Sequence, residues 1–198
     1  MNRSKTYRLI LLATGSILFF SCTNNHDFSP KPRGFFRLIF PVKKYRTYSG
    51  NCPFTFTYPV YANIEPDKNK NAQPCWFNLE FPSFKGTLHL SYMPITSKKE
   101  FNELIEDAHT FAFKHTVKAT GIDEATIAYP NRKMYGIYYR IDGNAASPVQ
   151  FYLTDSTKNY LRGALYFNEL PRQDSIKPVL DFVKQDIDVM IKSLRWKN

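Results

Sequence analysis

The chain has 198 residues, of which 43% are hydrophobic and 16% aromatic, and its formal net charge is +10. This length suits one domain rather than several, and the 17 Phe and 13 Tyr residues supply a sizeable apolar core. The sequence contains no internal repeat, no low-complexity block and no domain linker after residue 40. These features argue against a repeat protein and against a multidomain protein.

The first 21 residues have the plan of a secretory signal peptide. Arg3, Lys5 and Arg8 precede an apolar stretch from Leu9 to Phe20, and no acidic residue occurs in this segment. A basic region followed by about 7–15 apolar residues is typical of signal peptides, whereas a membrane-spanning helix needs about 20. We therefore predict a signal peptide over residues 1–21.

The apolar stretch stops abruptly at Cys22. The letters "FFSC" resemble a bacterial lipobox, although Phe19 stands where leucine is usual. Cleavage before Cys22 would free its amino group, and its thiol would carry diacylglycerol, with palmitate as a further acyl chain. Each buried methylene contributes about 0.8 kcal/mol to membrane binding, so several chains make a durable anchor. The alternatives are a secreted protein cleaved nearby and a cytosolic protein with a buried N-terminal helix.

After the predicted cleavage, residues 22–33 form a polar tether that contains two prolines. The mature chain keeps 24 Lys and Arg against 17 Asp and Glu, a formal +7, which suits an anionic partner. Nucleic acid is disfavoured for a protein outside the cytoplasm, and a solvated surface of dispersed lysines is the open alternative. A basic cluster lies where it can face an anionic bilayer: Lys31, Arg33, Arg37, Lys43, Lys44 and Arg46.

With Cys22 lipidated, Cys52 and Cys75 are the only two cysteines left to pair. The envelope permits disulfides, and closing this loop would stabilise the fold by about 3 kcal/mol. Two buried free thiols are the alternative. A zinc site is disfavoured because neither cysteine has another cysteine or a histidine within two to four residues.

Alternating hydrophobicity predicts three strands in the first half of the domain. The segments "FTFTY" at 54–58, "CWFNLEF" at 75–81 and "TLHLSYM" at 87–93 each place aromatic or aliphatic residues on one face. We expect "GFFRLIFP" at 34–41 to be a short extended segment. The turn-rich stretch "EPDKNKNAQP" at 65–74 predicts a solvated loop.

The period of the apolar residues changes at Ser97, where "SKKE" forms a capping box with Glu100. Helical spacing then predicts a helix to about Val117, with Gly121 just beyond its end. Four further strands are predicted at 124–129, 133–141, 149–154 and 159–167. The turns "DGNAASP" and "DSTK" between the last three predict an antiparallel meander.

A second amphipathic helix is predicted from Ser175, with Pro178 in its first turn. Its apolar stripe consists of Leu180, Val183, Ile187, Met190, Ile191 and Leu194. Residues 34–198 are therefore expected to form a single globular α+β domain. In this fold, a largely antiparallel sheet of about six to eight strands packs against two amphipathic helices that cover one or both of its faces.

No residue pattern points to a catalytic or metal centre. The phosphate-binding, zinc-protease and nucleophile-elbow motifs are absent from the sequence. His109 and His115 lie about 240° apart around a helix and cannot share a metal, and His89 is expected to make a surface or cross-strand hydrogen bond. Carboxylates on the helices are interpreted as solvated: Glu103, Glu106, Asp107, Asp181, Asp186 and Asp188. We predict no enzymatic activity, no cofactor and no metal.

Several stretches together cover nearly the whole chain after the tether: "PKPRGFFRL", "CPFTFTYP", "CWFNLEFP", "LHLSY", "FAFKHTVKATGIDE", "YGIYYRIDGNAASPVQFYLTDSTKNYLRGALYFN" and "DFVKQDI". They resemble the GldD family of gliding-motility lipoproteins, and the stretch at 135–168 is the most specific. The resemblance implies an envelope lipoprotein needed for gliding and type IX secretion, without known enzymatic activity. The resemblance implies functional roles by position for Cys22, as the lipidated residue, and for Cys52 and Cys75, as a pair. The order of elements also loosely resembles PsbP/Mog1-type domains, a likeness of fold alone.

The resemblance and the predicted anchor together suggest a non-enzymatic accessory component that contacts envelope proteins of the gliding and secretion apparatus. A periplasm-facing position is favoured because the residues after Cys22 lack the acidic run sometimes linked to surface export, and the outer membrane is favoured over the inner. The alternative is an envelope module that binds lipid, glycan or peptidoglycan. Its groove would be lined by Tyr135, Tyr138, Tyr139, Tyr152 and Tyr160, for which core packing is the alternative and favoured role.

Overall fold

The computed structural model describes residues 38–168 and 173–197. The predicted signal peptide over 1–21, Cys22 and the tether over 22–33 lie outside the described residues. Within them the chain forms the predicted α+β domain, with two helices and ten strands. The helices are α1 (Lys98–Phe113) and α2 (Gln173–Ser193). The strands are β1 (Tyr45–Tyr48), β2 (Phe54–Pro59), β3 (Asn63–Pro66), β4 (Phe77–Phe81), β5 (Gly86–Pro94), β6 (Ala119–Tyr129), β7 (Met134–Gly143), β8 (Val149–Thr154), β9 (Asn159–Phe167) and β10 (Arg195–Trp196).

Seven strands form one antiparallel sheet in the order β3-β4-β5-β9-β8-β7-β6. Strands β7, β8 and β9 form the predicted meander, with Tyr138 opposite Phe151 and Phe151 opposite Gly163. The other three strands form a small antiparallel sheet in which β2 lies between β1 and β10. The sequence pattern did not predict this second sheet, because β1 and β10 have four and two residues and show no apolar alternation.

The large sheet has two apolar faces, and one helix covers each. On the first face, Ala108 and Ala112 of α1 pack with Tyr139, Tyr152 and Tyr160. On the second face, the buried stripe of α2 packs, together with β2, against apolar residues of β4, β5, β8 and β9. Successive side chains of a strand point to opposite faces, so the alternating strands can supply both cores.

The five tyrosines considered for a groove do not all share a face, so the groove is wrong as a set, and four of them have the alternative role of core packing. Tyr139, Tyr152 and Tyr160 belong to the core under α1, whereas Tyr138 packs against the core on the other face. Tyr135 is exposed. Tyr135 and Tyr152 both border a shallow groove of about 290 Å³ beside α1.

Several element boundaries differ from the prediction. Helix α1 ends at Phe113 and a short 3-10 helix follows to Val117. Strand β6 then begins at Ala119, so Gly121 lies within a strand, next to a register shift. Helix α2 begins at Gln173, which places Pro178 in its second turn rather than its first. The first half of β6 is largely exposed on both faces, and it therefore has no apolar alternation that would predict it.

Candidate functional site

A cleft of about 770 Å³ opens where the beginning of β2, the end of β5 and β10 come together. Its volume falls within the range of about 300–1,000 Å³ that is usual for small-molecule sites. Tyr92, Trp196 and Pro53 contribute apolar surface to its walls, and Cys52 lies among the lining residues. The predicted "DSTK" turn between β8 and β9 forms part of the same lining.

Cys52 and Cys75 are joined by a disulfide, with a Sγ–Sγ distance of 2.18 Å and a Cα–Cα distance of 5.6 Å. Cys52 is buried at the edge of the aromatic core, where the Tyr48 hydroxyl donates a hydrogen bond to its Sγ over 3.1 Å. The disulfide therefore ties the start of β2, which borders the cleft, to the loop before β4. That the pair is oxidised in the cell stays a prediction.

Asp155 holds the turn beside the cleft in a fixed shape. Its Oδ1 accepts hydrogen bonds from the backbone N–H groups of Thr157 (2.9 Å), Lys158 (2.7 Å) and Asn159 (2.9 Å). Burial acts to raise the pKa of Asp155, but the hydrogen bonds outweigh it and hold the pKa below its ordinary value. Asn159 in turn accepts a hydrogen bond from the Tyr92 hydroxyl over 2.9 Å. The turn is thus bonded both to itself and to the cleft wall.

The charged side chains of the lining are mostly cationic. Arg132, Lys133, Lys158 and Lys197 line the cleft, and Asp155 is its one carboxylate among the described residues. The Asp155 oxygens are occupied by the turn, so they do not neutralise the lysines by direct contact. This arrangement favours an anionic ligand over a cationic one.

Two of the four cations are available to a ligand. Arg132 lies 4.2 Å from the centroid of the Tyr129 ring and donates to a backbone carbonyl, and Lys197 donates to the carbonyl of Gly50. Within the described part of the chain, the side chains of Lys133 and Lys158 make no hydrogen bond or ion pair. The indole N–H of Trp196 is buried without an acceptor among the same residues.

A second cluster of polar groups surrounds Asp186 on α2. Asp186 was predicted to be solvated, but its side chain is fully buried, and that prediction is wrong. Its carboxylate accepts hydrogen bonds from Lys43 Nζ (2.7 Å), from the Tyr45 hydroxyl (2.9 Å) and from the Tyr61 hydroxyl. Lys43 also donates to the carbonyl of Phe182 over 2.7 Å and lies over its ring. This cluster fastens the chain around residues 43–45 to the C-terminal helix.

The environment of Tyr45 leads to a pH prediction. Burial, the hydrogen bond to Asp186 and the charge of Asp186 raise the pKa of Tyr45 to about 12, against about 10 in an unfolded chain. The folded protein therefore holds this proton more tightly, and the resulting stability is fully present below pH 10 and lost as the pH rises through 12. We expect the free energy of unfolding to fall more steeply between pH 10 and 12 in the parent than in Tyr45→Phe. Denaturant titrations at several pH values measure this change. If the free energy of unfolding falls equally with pH in the two proteins, the expectation is contradicted.

No group of metal-ligating side chains, including those of His89, His109 and His115, occurs within the residues that the structure describes. His89 makes the predicted cross-strand contact, with its Nδ1 2.7 Å from Oδ1 of Asn78. Burial lowers the pKa of His89. None of the helices in the described ranges is long and apolar enough to cross a membrane.

Comparison with known proteins gives one informative match. No protein with curated annotation matches the sequence. Similar solved structures include the solution structure of cyanobacterial PsbP (CyanoP) from Synechocystis sp. PCC 6803, with 16% identity and a TM-score of 0.43 over 74% of this chain and 92% of that chain. The family model of the gliding motility lipoprotein GldD matches residues 25–196. Because this match spans nearly all of the sequence after the predicted anchor, the chain belongs to the GldD family of gliding motility lipoproteins.

Proposed function

We propose that this protein is a lipid-anchored, non-enzymatic accessory component of the gliding motility and type IX secretion machinery. It acts through protein–protein contacts on the periplasmic side of the envelope, with the outer membrane favoured. The observation that carries the proposal is the family match over residues 25–196. The predicted signal peptide directs export to the envelope, and lipid on Cys22 anchors the protein there. The rigid α+β domain supplies the contact surfaces.

The outer strand β6 supports a role in protein–protein contact. It is an edge of the seven-stranded sheet and has 11 residues, which is long for an edge strand. One row of backbone N–H and C=O groups on such a strand faces away from the sheet and can pair with an added strand. Most side chains of β6 are exposed. An extended segment of an envelope protein can therefore dock along it.

Site-specific photocrosslinking in intact cells tests this contact. A photoreactive residue at Ala125 or Ala128, both exposed on β6, is expected to capture proteins of the gliding and secretion apparatus. The same residue at Asn102, exposed on α1, is the matched control. Adducts that are absent, or identical from β6 and from Asn102, would contradict docking on β6.

The cleft favours a second candidate function, the binding of an anionic envelope glycan such as peptidoglycan, whose peptide stems carry carboxylates. Its volume of about 770 Å³ and its cationic lining support this candidate. Tyr92 and Trp196 would contact the sugar rings, and Lys133 and Lys158 would contact the carboxylates. No catalytic step is involved, and the ligand would position the domain on the cell wall.

Charge reversal at the cleft tests this second candidate. We expect Lys133→Glu combined with Lys158→Glu to weaken co-sedimentation with purified peptidoglycan by about tenfold, because two attractive charges become repulsive. Lys98→Glu combined with Lys99→Glu on exposed positions of α1 makes the same change in net charge and is the control. Equal binding by the two double variants would exclude the cleft as the site.

A further inference from the structure

The described part of the chain begins with an exposed apolar surface. Ile39 and Val42 are 81% and 77% exposed, and Val60 lies next to this segment because its backbone N–H donates to the carbonyl of Lys44 over 2.9 Å. Five of the eight exposed large hydrophobic side chains in the described residues lie in this segment or next to it, and they are here called the apolar patch: Leu38, Ile39, Phe40, Val42 and Val60. A concentration of this kind marks a surface that meets an apolar partner.

The domain holds the apolar patch in a fixed orientation. The Phe40 ring stacks on Phe182 of α2 with a centroid distance of 4.6 Å. Lys43 and Tyr45 point inward to the buried Asp186. Because these three side chains face the domain, Ile39 and Val42 are held on the outer side of the segment. Ile39 and Val42 are therefore exposed on a segment that ring stacking and hydrogen bonds hold against the domain.

Basic side chains accompany the apolar patch. Between Asp27 and Glu65 the sequence contains six Lys and Arg residues and no Asp or Glu. Asp186 neutralises Lys43, but Lys44 and Arg46 are exposed. Apolar side chains beside exposed cations are the combination that binds the interface of an anionic bilayer.

The position of the apolar patch along the chain places it within reach of a bilayer. Leu38 is 16 residues after Cys22, and at about 3.5 Å per residue this length spans at most about 55 Å. We propose, on the basis of the proposed anchor at Cys22, that the apolar patch is a second membrane contact. Ile39 and Val42 enter the boundary between head groups and acyl chains of an anionic phospholipid bilayer, and Lys44 contacts phosphates. Arg46 donates to the carbonyl of Ala62 over 3.0 Å and lies over the Tyr58 ring, so it adds positive charge beside the patch from a fixed position. Two contacts fix the orientation of the domain, whereas a tether alone does not.

Tryptophan quenching in proteoliposomes tests this contact. The mature lipoprotein is reconstituted through its own lipid into vesicles of phosphatidylethanolamine and phosphatidylglycerol with brominated acyl chains. Tryptophan introduced by Ile39→Trp or Val42→Trp is expected to show blue-shifted emission and strong quenching, after subtraction of the parent signal. Val117→Trp, at a position that is 90% exposed elsewhere in the domain, is the control and is expected to remain unquenched. Emission at 39 and 42 that is as red-shifted and unquenched as at 117 would overturn the proposal and would favour a protein partner for the patch.

Charge and anchoring are tested separately. The attraction of basic side chains is removed either by replacing phosphatidylglycerol with phosphatidylcholine or by introducing Lys44→Glu. For each basic side chain whose attraction to the bilayer is lost, we expect the population of the quenched state to fall by about fivefold. Quenching that is insensitive to both changes would overturn the role of the basic residues. Flotation with the vesicles reports the anchor alone. Flotation without quenching would contradict the patch and leave the proposed function intact, whereas loss of flotation would contradict the anchor on which both rest.

Discussion

Replacing Asp186 with asparagine is expected to lower the free energy of unfolding by about 3 kcal/mol. Removal of one partner from a buried ion pair typically costs about 3–5 kcal/mol, because the remaining charge is left uncompensated. The side chain of Lys43 is 22% exposed and keeps part of its hydration, so the lower end of this range applies. Urea unfolding at pH 7, followed by fluorescence, measures the change.

Asp181 on the same helix provides the matched control. It is exposed and pairs with Lys177 one turn away over 2.9 Å, and exposed pairs of this kind contribute about 0.3–0.5 kcal/mol. Asp181→Asn is therefore expected to be nearly neutral. In a double-mutant cycle, Lys43→Met and Asp186→Asn should be non-additive by more than about 1 kcal/mol. Additive effects, or equal effects of the two Asp→Asn changes, would show that the Asp186 cluster does not hold the segment at 43–45.

Loss of the disulfide is expected to have an effect of similar size. Cys52→Ser combined with Cys75→Ser should lower the free energy of unfolding by about 3 kcal/mol, because the bond closes a loop of 23 residues in the unfolded chain. A reductant should destabilise the parent by the same amount and leave the double variant unchanged. Alkylation of both cysteines in parent protein taken from cells without reduction would contradict the predicted bond.

Much of the fold could be predicted because its cause is local. Strands β2, β4 and β5 alternate between buried and less buried residues, as their sequences predicted. Ser97 caps α1 as expected, with its Oγ accepting from the Glu100 N–H over 3.1 Å. The Glu100 side chain reaches one residue further back than in the predicted capping box and accepts from the Thr96 N–H over 2.8 Å. The local pattern therefore predicts these strands and the start of α1, whereas the exact hydrogen-bond partner of the Glu100 side chain differs by one residue.

The burial of Asp186 departs from the prediction because the charge of an aspartate favours solvent, whereas its place in the helical period favours the covered face. Asp186 lies three residues after Val183 and four before Met190, both of which belong to the buried stripe of α2. Helical spacing alone places it on the covered face. Its partners Lys43, Tyr45 and Tyr61 lie more than 120 residues away in the sequence. The helical spacing of Asp186 therefore indicates that it is buried, whereas its hydrogen-bond partners cannot be predicted from the sequence.

The cleft could not be predicted from sequence patterns. Its lining comes from residues as distant as Cys52, Arg132, Lys158 and Trp196. Trp196 meets the beginning of β2 because β10 pairs with β2, and Lys158 meets the end of β5 because β5 pairs with β9. Long-range pairing of this kind leaves no local periodicity, so the sequence predicts the turn at 155–158 but not the cleft that it borders.

The proposed role requires that lipid at Cys22 holds the domain at a membrane. Metabolic labelling with an alkyne fatty acid, followed by fractionation of the cells, tests this requirement by comparing the parent with Cys22→Ala. We predict that the parent is labelled, lacks residues 1–21 and sediments with membranes, whereas the variant carries no label. Equal labelling of the variant, or parent protein in the cytosolic fraction with residues 1–21 intact, would contradict the account.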